Sequence, residues 1–312
     1  MLKSYFKEAT HHPAPLAVFR VLFGLLMLYA LIRFWGNGWI ETLYINPQFH
    51  FKYFGFSWVN DLGVLNYLLY LVCIISSIGI ILGYRFRLSI ITFFLIFTYT
   101  ELIDKTTYLN HYYFTSCISF LLCFLPAASY FSIDSQRNKE ITKIPAWNID
   151  ALKFFLCIVY FYAGIAKINS DWLLDAQPLS IWLTSKYDIP FIGDLLQFKF
   201  VHYAASWLGM LYDVFIPFFL LSKKTRKIAF LLVVLFHLMT KIFFPAIGMF
   251  PYIMIFCALI FFDESIHQKW ILHFKKLMRN LKIRFNINHN IKTNPINLRH
   301  TPHKFILPLF IC

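Results

Sequence analysis

Three side chains able to exchange protons lie inside or at the edge of apolar stretches: Lys167, His111 and His237. Lys167 falls in residues 158–173, IVYFYAGIAKINSDWL, where an apolar run narrows to small residues before a polar stretch. At helical spacing Tyr160, Ala163, Gly164 and Lys167 share one face. That face is small enough to admit a neighbouring helix or a flat ligand. Two readings of Lys167 stand at this point. A lysine in a last helical turn snorkels to the interface and suits the helix C-terminus. Alternatively it is a base, which requires a free amine and hence an apolar setting, because lysine's ordinary pKa near 10.4 leaves it protonated at neutral pH.

His111 follows Asn110 in DKTTYLNHYYF, at the mouth of another apolar run. It is either an interfacial histidine among tyrosines or half of a pair that holds a ligand oxygen. His237, in LLVVLFHLMTKIFF, lies deep in a third run, with Lys241 one turn on. Either it serves a function or it makes an interhelical hydrogen bond. Asp213, in GMLYDVFIPFF, is a carboxylate inside an apolar run that could pair with a buried cation the sequence leaves unnamed, and Arg20 is deep enough to need partners. No phosphate-binding glycine loop, nucleophile elbow, H-E-x-x-H or ladder of membrane carboxylates is present. The six cysteines all lie within apolar runs without C-x-x-C spacing, and read as small hydrophobes rather than disulfides or a zinc site. A cluster of Lys, His and Asn amid aromatics suits a flat, lipid-soluble ligand of quinone type.

The elements positioning these groups are membrane helices. A chain that is 59% hydrophobic, 20% aromatic and 14% charged is too apolar for a soluble protein. The net charge of +14 does not mark nucleic-acid binding, because the basic residues sit in short segments between apolar runs. Eight such runs, at about 15–35, 64–83, 87–101, 108–128, 151–167, 205–222, 227–243 and 246–262, approach the length of a span. Every second connection is basic, with Arg85 and Arg87, then Arg137, Lys139 and Lys143, then the dense SKKTRK, while the others carry acids. The fold expected is all-α, a polytopic protein of about eight transmembrane helices with a cytoplasmic N-terminus, 1–14. Lys167, Asn110 and His111 then share the outer side. The aromatic outer connection near 36–63 is expected to lie in the interface, over a cavity. Residues 263–302 form a basic segment, either an amphipathic helix with Ile266, Trp270, Phe274 and Leu277 on one face and suited to an anionic inner leaflet, or a basic linker that anchors the topology. HKFILPLFIC, within 303–312, reads as the start of a truncated ninth span.

Several stretches resemble the vitamin K-dependent γ-carboxylases and their bacterial relatives, the HTTM (horizontally transferred transmembrane) domain proteins. They are FRVLFGLLMLY, FHFKYFGFSWV, YLNHYYFTSCISFLLCFLPAASYFSID, IVYFYAGIAKINSDWL and LFHLMTKIFFPAIGMFPY, in order across 15–262. The resemblance implies a glutamyl carboxylase that oxygenates reduced vitamin K, or another quinol, to its epoxide with O2. Proton removal from a glutamyl side chain and addition of CO2 are coupled to that step, with no metal. It puts the catalytic lysine at Lys167 and the two histidines at His111 and His237, with Asn110, Tyr160 and Gly164 around the quinol. It further implies a glutamyl peptide as partner, the lipid bilayer as setting, no nucleic acid, and a bacterial inner membrane with the site facing the periplasm. Family carboxylases continue into an extramembrane region absent here. The alternative is a non-catalytic HTTM protein that binds a lipid or peptide and assists its processing or export. A transporter is disfavoured, since neither internal repeats nor broken helices are visible.

Overall fold

The computed structural model describes residues 9–244 and 247–290, with side chains to 280. The expected ninth span lies outside the described residues. The chain is helical, with one antiparallel pair of two-residue strands, β1 (Thr10–His11) and β2 (Ile144–Pro145). The long helices are α1 (Ala14–Gly36), α2 (Leu65–Leu82), α3 (Phe86–Leu102) and α4 (Asn110–Leu122). After short α5 (Ile133–Asn138) come α6 (Trp147–Ile165), the single turns α7 (Ser170–Leu173) and α8 (Leu179–Thr184), and α9 (Lys199–Leu221). Helices α10 (Arg226–Phe243), α11 (Phe250–Ala258) and α12 (Glu264–Asn290) complete the order. The chain divides into two compact units after Gln268, and the helices that pack around the site belong to the first.

By length and composition four helices can cross a membrane, namely α1, α2, α6 and α9, and up to five if Phe250–Phe261 and Glu264–Asn280 count as one bent span. This is fewer than the eight runs of the sequence. The physical reason is the brevity of α3, α4 and α11, at 17, 13 and 9 residues. A 13-residue helix covers about 20 Å of the roughly 30 Å hydrocarbon core. Helix α10 is 18 residues long but includes Arg226, Lys227 and Lys241.

Consecutive helices pack as neighbours. Helix α1 lies on α2, α2 on α3, and α3 on α4, while α6 lies on α9, α9 on α10, α10 on α11, and α11 back on α1. The succession closes where Phe114 of α4 stacks on Phe155 of α6, with ring centroids 5.6 Å apart. The core between them is aliphatic and aromatic, including Phe23, Phe93, Ile118, Leu152 and Phe261.

Arg20 is wholly buried in α1, yet its partners are carbonyls rather than an acid. Its guanidinium donates to Ile80 O (2.7 Å), Ile81 O (2.9 Å) and Phe131 O (2.5 Å). The first two belong to the last turn of α2, where the carbonyls carry the negative end of the helix dipole; Ile80 O also accepts from Gly83 N at 3.2 Å. Gly83 follows with φ +60°, and a Cβ there would fall 2.4 Å from Arg20 Nη1. Glycine is therefore required both by conformation and by space.

The aromatic connection from 37 to 64 is tied to the end of α3. Lys105 N donates to Phe51 O (2.8 Å), Tyr99 Oη to Asn60 O (2.7 Å), and His50 Nδ1 lies 3.2 Å from Asp104 Oδ2. Burial pushes the Asp104 carboxyl up, but hydrogen bonds from Thr106 N–H, the Thr106 hydroxyl and His50 outweigh it and leave the group below its ordinary value. A depressed folded pKa stabilises above the unfolded value of about 3.9, and that contribution disappears as pH falls through the folded value. Thermal unfolding in detergent should therefore show wild type above Asp104→Asn at pH 6, with the gap closing between about pH 5 and pH 2. A gap that widens on acidification would contradict this assignment.

Candidate functional site

The site is built where α6 meets α9. Gly164 makes the approach possible, for a Cβ there would fall 2.5 Å from Val214 Cγ2 and 2.8 Å from Val214 N. The small face read from the sequence is thus filled by a helix. One turn further, Lys167 Nζ donates to Asp213 Oδ2 (2.5 Å) and to Ala163 O (3.0 Å). The amine also lies 5.3 Å from the ring centre of Trp172. Asn169 caps α7 by accepting from Trp172 N (2.9 Å), and Trp172 Nε1 donates to Ser206 O (2.8 Å), so the ring is fixed between α7 and α9. Asp213, whose cation the sequence left unnamed, is the partner of Lys167. Their side chains are 8% and 21% exposed, a paired charge at the edge of the bundle rather than a solvated surface bridge.

Two turns back on the same face of α6, about 10 Å along the axis, Tyr160 is buried. Its hydroxyl lies 3.1 Å from His237 Nε2 of α10. His237 is 2% exposed, and its Nδ1 is buried with no hydrogen-bond partner among the described residues. Whichever tautomer holds, one ring nitrogen stays open. Tyr212, next to Asp213 on α9, stands edge-on to Tyr160 (6.1 Å) and to His237 (6.5 Å), joining the two halves of the cluster.

His111 is buried at the head of α4 against Tyr112 (4.6 Å) and Phe250 (6.4 Å). Phe250 also meets His237 at 5.8 Å, so one ring of α11 touches both histidines. Gly248, at φ +70°, passes close enough that a Cβ would lie 3.4 Å from His111 Nε2. Asn110 is exposed while His111 is buried, so the two adjacent residues face different surroundings.

A cavity of about 1020 Å³ lies elsewhere, among α3, α4, α6 and the aromatic connection, which contributes Tyr53 and Phe56. None of the six residues nominated from sequence lines it. At about 100° per residue, Ala151, Phe154, Phe155 and Ile158 fall on the cavity side of α6, and Tyr160, Gly164 and Lys167 on the opposite side. The same holds on α4, where Tyr113, Ser116, Cys117 and Phe120 face the cavity and His111 does not. The carboxyl residue in this wall, Glu101, was missed because it closes a run otherwise read as a span with an acidic loop after it.

An all-α bundle with several membrane-length helices and a buried Lys–Asp, Tyr–His cluster defines a class of helical membrane protein. The HTTM domain matches residues 9–266, and the chain belongs to that family, whose domain is associated with vitamin K-dependent carboxylases. No solved structure matches the chain.

If Gly164 sets the α6–α9 distance, Gly164→Ala should destabilise the protein by about 2 kcal/mol, since a methyl forced against backbone separates the helices. Gly36, where an added Cβ meets nothing within 4 Å, is the control. Thermal unfolding should show loss for the first substitution and none for the second, and equal effects would refute the spacing role.

Proposed function

We propose that this chain is a quinol-dependent, carboxylase-type membrane protein in which Lys167 takes a proton from a lipid-soluble quinol such as reduced vitamin K. O2 and CO2 are the co-substrates and a glutamyl side chain of a peptide is the acceptor. The observation that carries this reading is the Lys167–Asp213 contact, 2.5 Å long, on the same α6 face as the buried Tyr160–His237 pair. When bound and oxidised by O2 to its epoxide, the quinol supplies the drive for γ-carboxylation. The residues fit such a ligand: the amine of Lys167, an open nitrogen on His237, and aromatic surroundings.

An ammonium has no lone pair, so Lys167 accepts a proton only in the form where the proton it shares with Asp213 sits on the carboxyl. The pair is neutral overall in both forms, so the transfer moves no net charge in a water-poor place. A proton then taken by Lys167 leaves an ammonium facing the Trp172 ring, which favours the cation. His237, held through Tyr160, presents its free nitrogen to a ligand oxygen. His111 supports that arrangement through Phe250, and Asn110 offers a polar contact at the mouth of α4.

The membrane setting proposed with this chemistry is eight spans, with the short helices shielded by their neighbours. The N-terminus is cytoplasmic, the site opens to the periplasmic side of a bacterial inner membrane, and the basic helix α12 lies on the anionic inner leaflet. The ion pair also favours a second reading. A lysine already satisfied by Asp213 suits a non-catalytic HTTM protein that binds a lipid or peptide and assists its processing or export.

Purified protein supplied with reduced vitamin K, O2, labelled CO2 and a glutamyl peptide decides between them. Wild type should form epoxide and labelled peptide. Lys167→Arg keeps a cation for Asp213 but cannot supply a free base, and Lys167→Ala removes the amine outright. Both should lose epoxide formation by about 10³-fold, the scale of a general base, while Lys167→Arg stays folded. Epoxide formed at the wild-type rate by either variant would overturn the role of Lys167, and no product from wild type would favour the binding protein.

A further inference from the structure

We infer that the cavity among α3, α4 and α6 is a second site, for a membrane lipid whose headgroup carries a primary ammonium. The cavity has about 1020 Å³, at the upper end of the roughly 300–1,000 Å³ of small-molecule pockets, and room for a chain-bearing molecule. Its walls are apolar and reach the outside of the bundle: Phe120, Phe154 and Tyr113 all line it and all are exposed. Exposed apolar side chains on a membrane bundle face hydrocarbon, so the occupant enters sideways from the bilayer.

Glu101, in the last turn of α3, gives the site its chemistry. Among the described residues its carboxyl makes no hydrogen bond and no ion pair. Lys52, the lysine folded over the same end of α3, is spent on the carbonyls of Val59 (2.5 Å) and Ile103 (3.2 Å). Thr98 and Ser116, two of the hydroxyls of the wall, bond to each other at 3.2 Å, and the phenols of Tyr53, Tyr108 and Tyr113 also line it. Among the described residues, then, no cation of the chain pairs with the carboxyl. A cation brought to Glu101 would favour its ionised form, which accepts hydrogen bonds, and Tyr53, Phe56, Tyr108 and Tyr113 line the cavity with aromatic rings able to attract cations. A primary ammonium satisfies both, as donor to Glu101 and as cation to the rings. An anionic headgroup brings no cation to the carboxyl. The end of α3 lies beside the connection tied to Asp104, so the headgroup sits at the interface and the chain runs down between α4 and α6. The site lies on the opposite face of α6 from Lys167, so this inference stands apart from the quinol reading.

Native mass spectrometry of the detergent-purified protein tests it, with phosphatidylethanolamine and phosphatidylglycerol of identical acyl chains as probes. The ethanolamine lipid should bind about tenfold tighter, as expected for an ammonium paired in a water-poor site. Glu101→Gln should abolish that preference while leaving chain binding in place. Ser116→Phe, which fills the cavity, should weaken both lipids and leave α6–α9 unfolding unchanged, a check that holds even if Glu101→Gln folds poorly. Equal binding of the two lipids, preference for phosphatidylglycerol, a preference that survives Glu101→Gln, or indifference to Ser116→Phe would each overturn the proposal.

Discussion

Lys167 and Asp213 sit at the edge of an apolar bundle where either charge alone would be costly, and much of the surrounding structure follows from keeping them together. Breaking a buried pair by removing one partner costs about 3–5 kcal/mol, because the other charge is left uncompensated. The pair is made by two helices distant in sequence, so α6 and α9 must approach closely and in one register. Gly164 supplies the closeness through its missing side chain. Trp172, held to Ser206 of α9, closes over the amine from the third direction. The same register brings Tyr212 beside Tyr160 and so completes the packing around His237. A single electrostatic requirement thus organises the polar, enclosed end of α6.

Helices α4 and α6 act as a partition. One side carries the buried polar cluster, with His111, Tyr160, Gly164 and Lys167. The other carries the cavity with Glu101 in its wall. Apolar residues fill most positions on both sides, which is why these helices show little contrast between faces. In a soluble protein such helices would be hydrophobic cores, whereas here one face meets protein and the other meets hydrocarbon or a lipid-soluble molecule. The partition keeps the Lys167–Asp213 pair apart from the Glu101 side.

Much of this was legible in the residues. The helical spacing of Tyr160, Gly164 and Lys167 identified their common face, and the depth of His237 and Asp213 marked them as needing partners. The family pattern was legible too, and the HTTM match over 9–266 contains the stretches that carried it. What the sequence left open was pairing between helices. Nothing in GMLYDVFIPFF says that its carboxylate meets the lysine of another helix 46 residues earlier. Nor does an Asn-His dipeptide reveal that one residue is exposed and the other buried. Glu101 went unnoticed because hydropathy averages over a window, and one acid at the end of an aromatic run scarcely changes the average. The apolar runs number eight, whereas four or five helices meet the length and composition of a span, because hydrophobicity measures what a segment avoids rather than how far its helix reaches.

The central claim is that Lys167 and Asp213 form one energetic unit holding α6 to α9, and a double-mutant cycle measures it directly. Lys167→Met, Asp213→Leu and the combined variant would each be unfolded reversibly beside wild type in the same detergent. Each single change should cost about 3 kcal/mol or more, and the combined variant should recover at least 2 kcal/mol of their sum, since apolar replacement of both partners removes the stranded charge. Effects that add to within about 0.5 kcal/mol would mean that the two residues do not depend on each other, and the account of the site would fail with them.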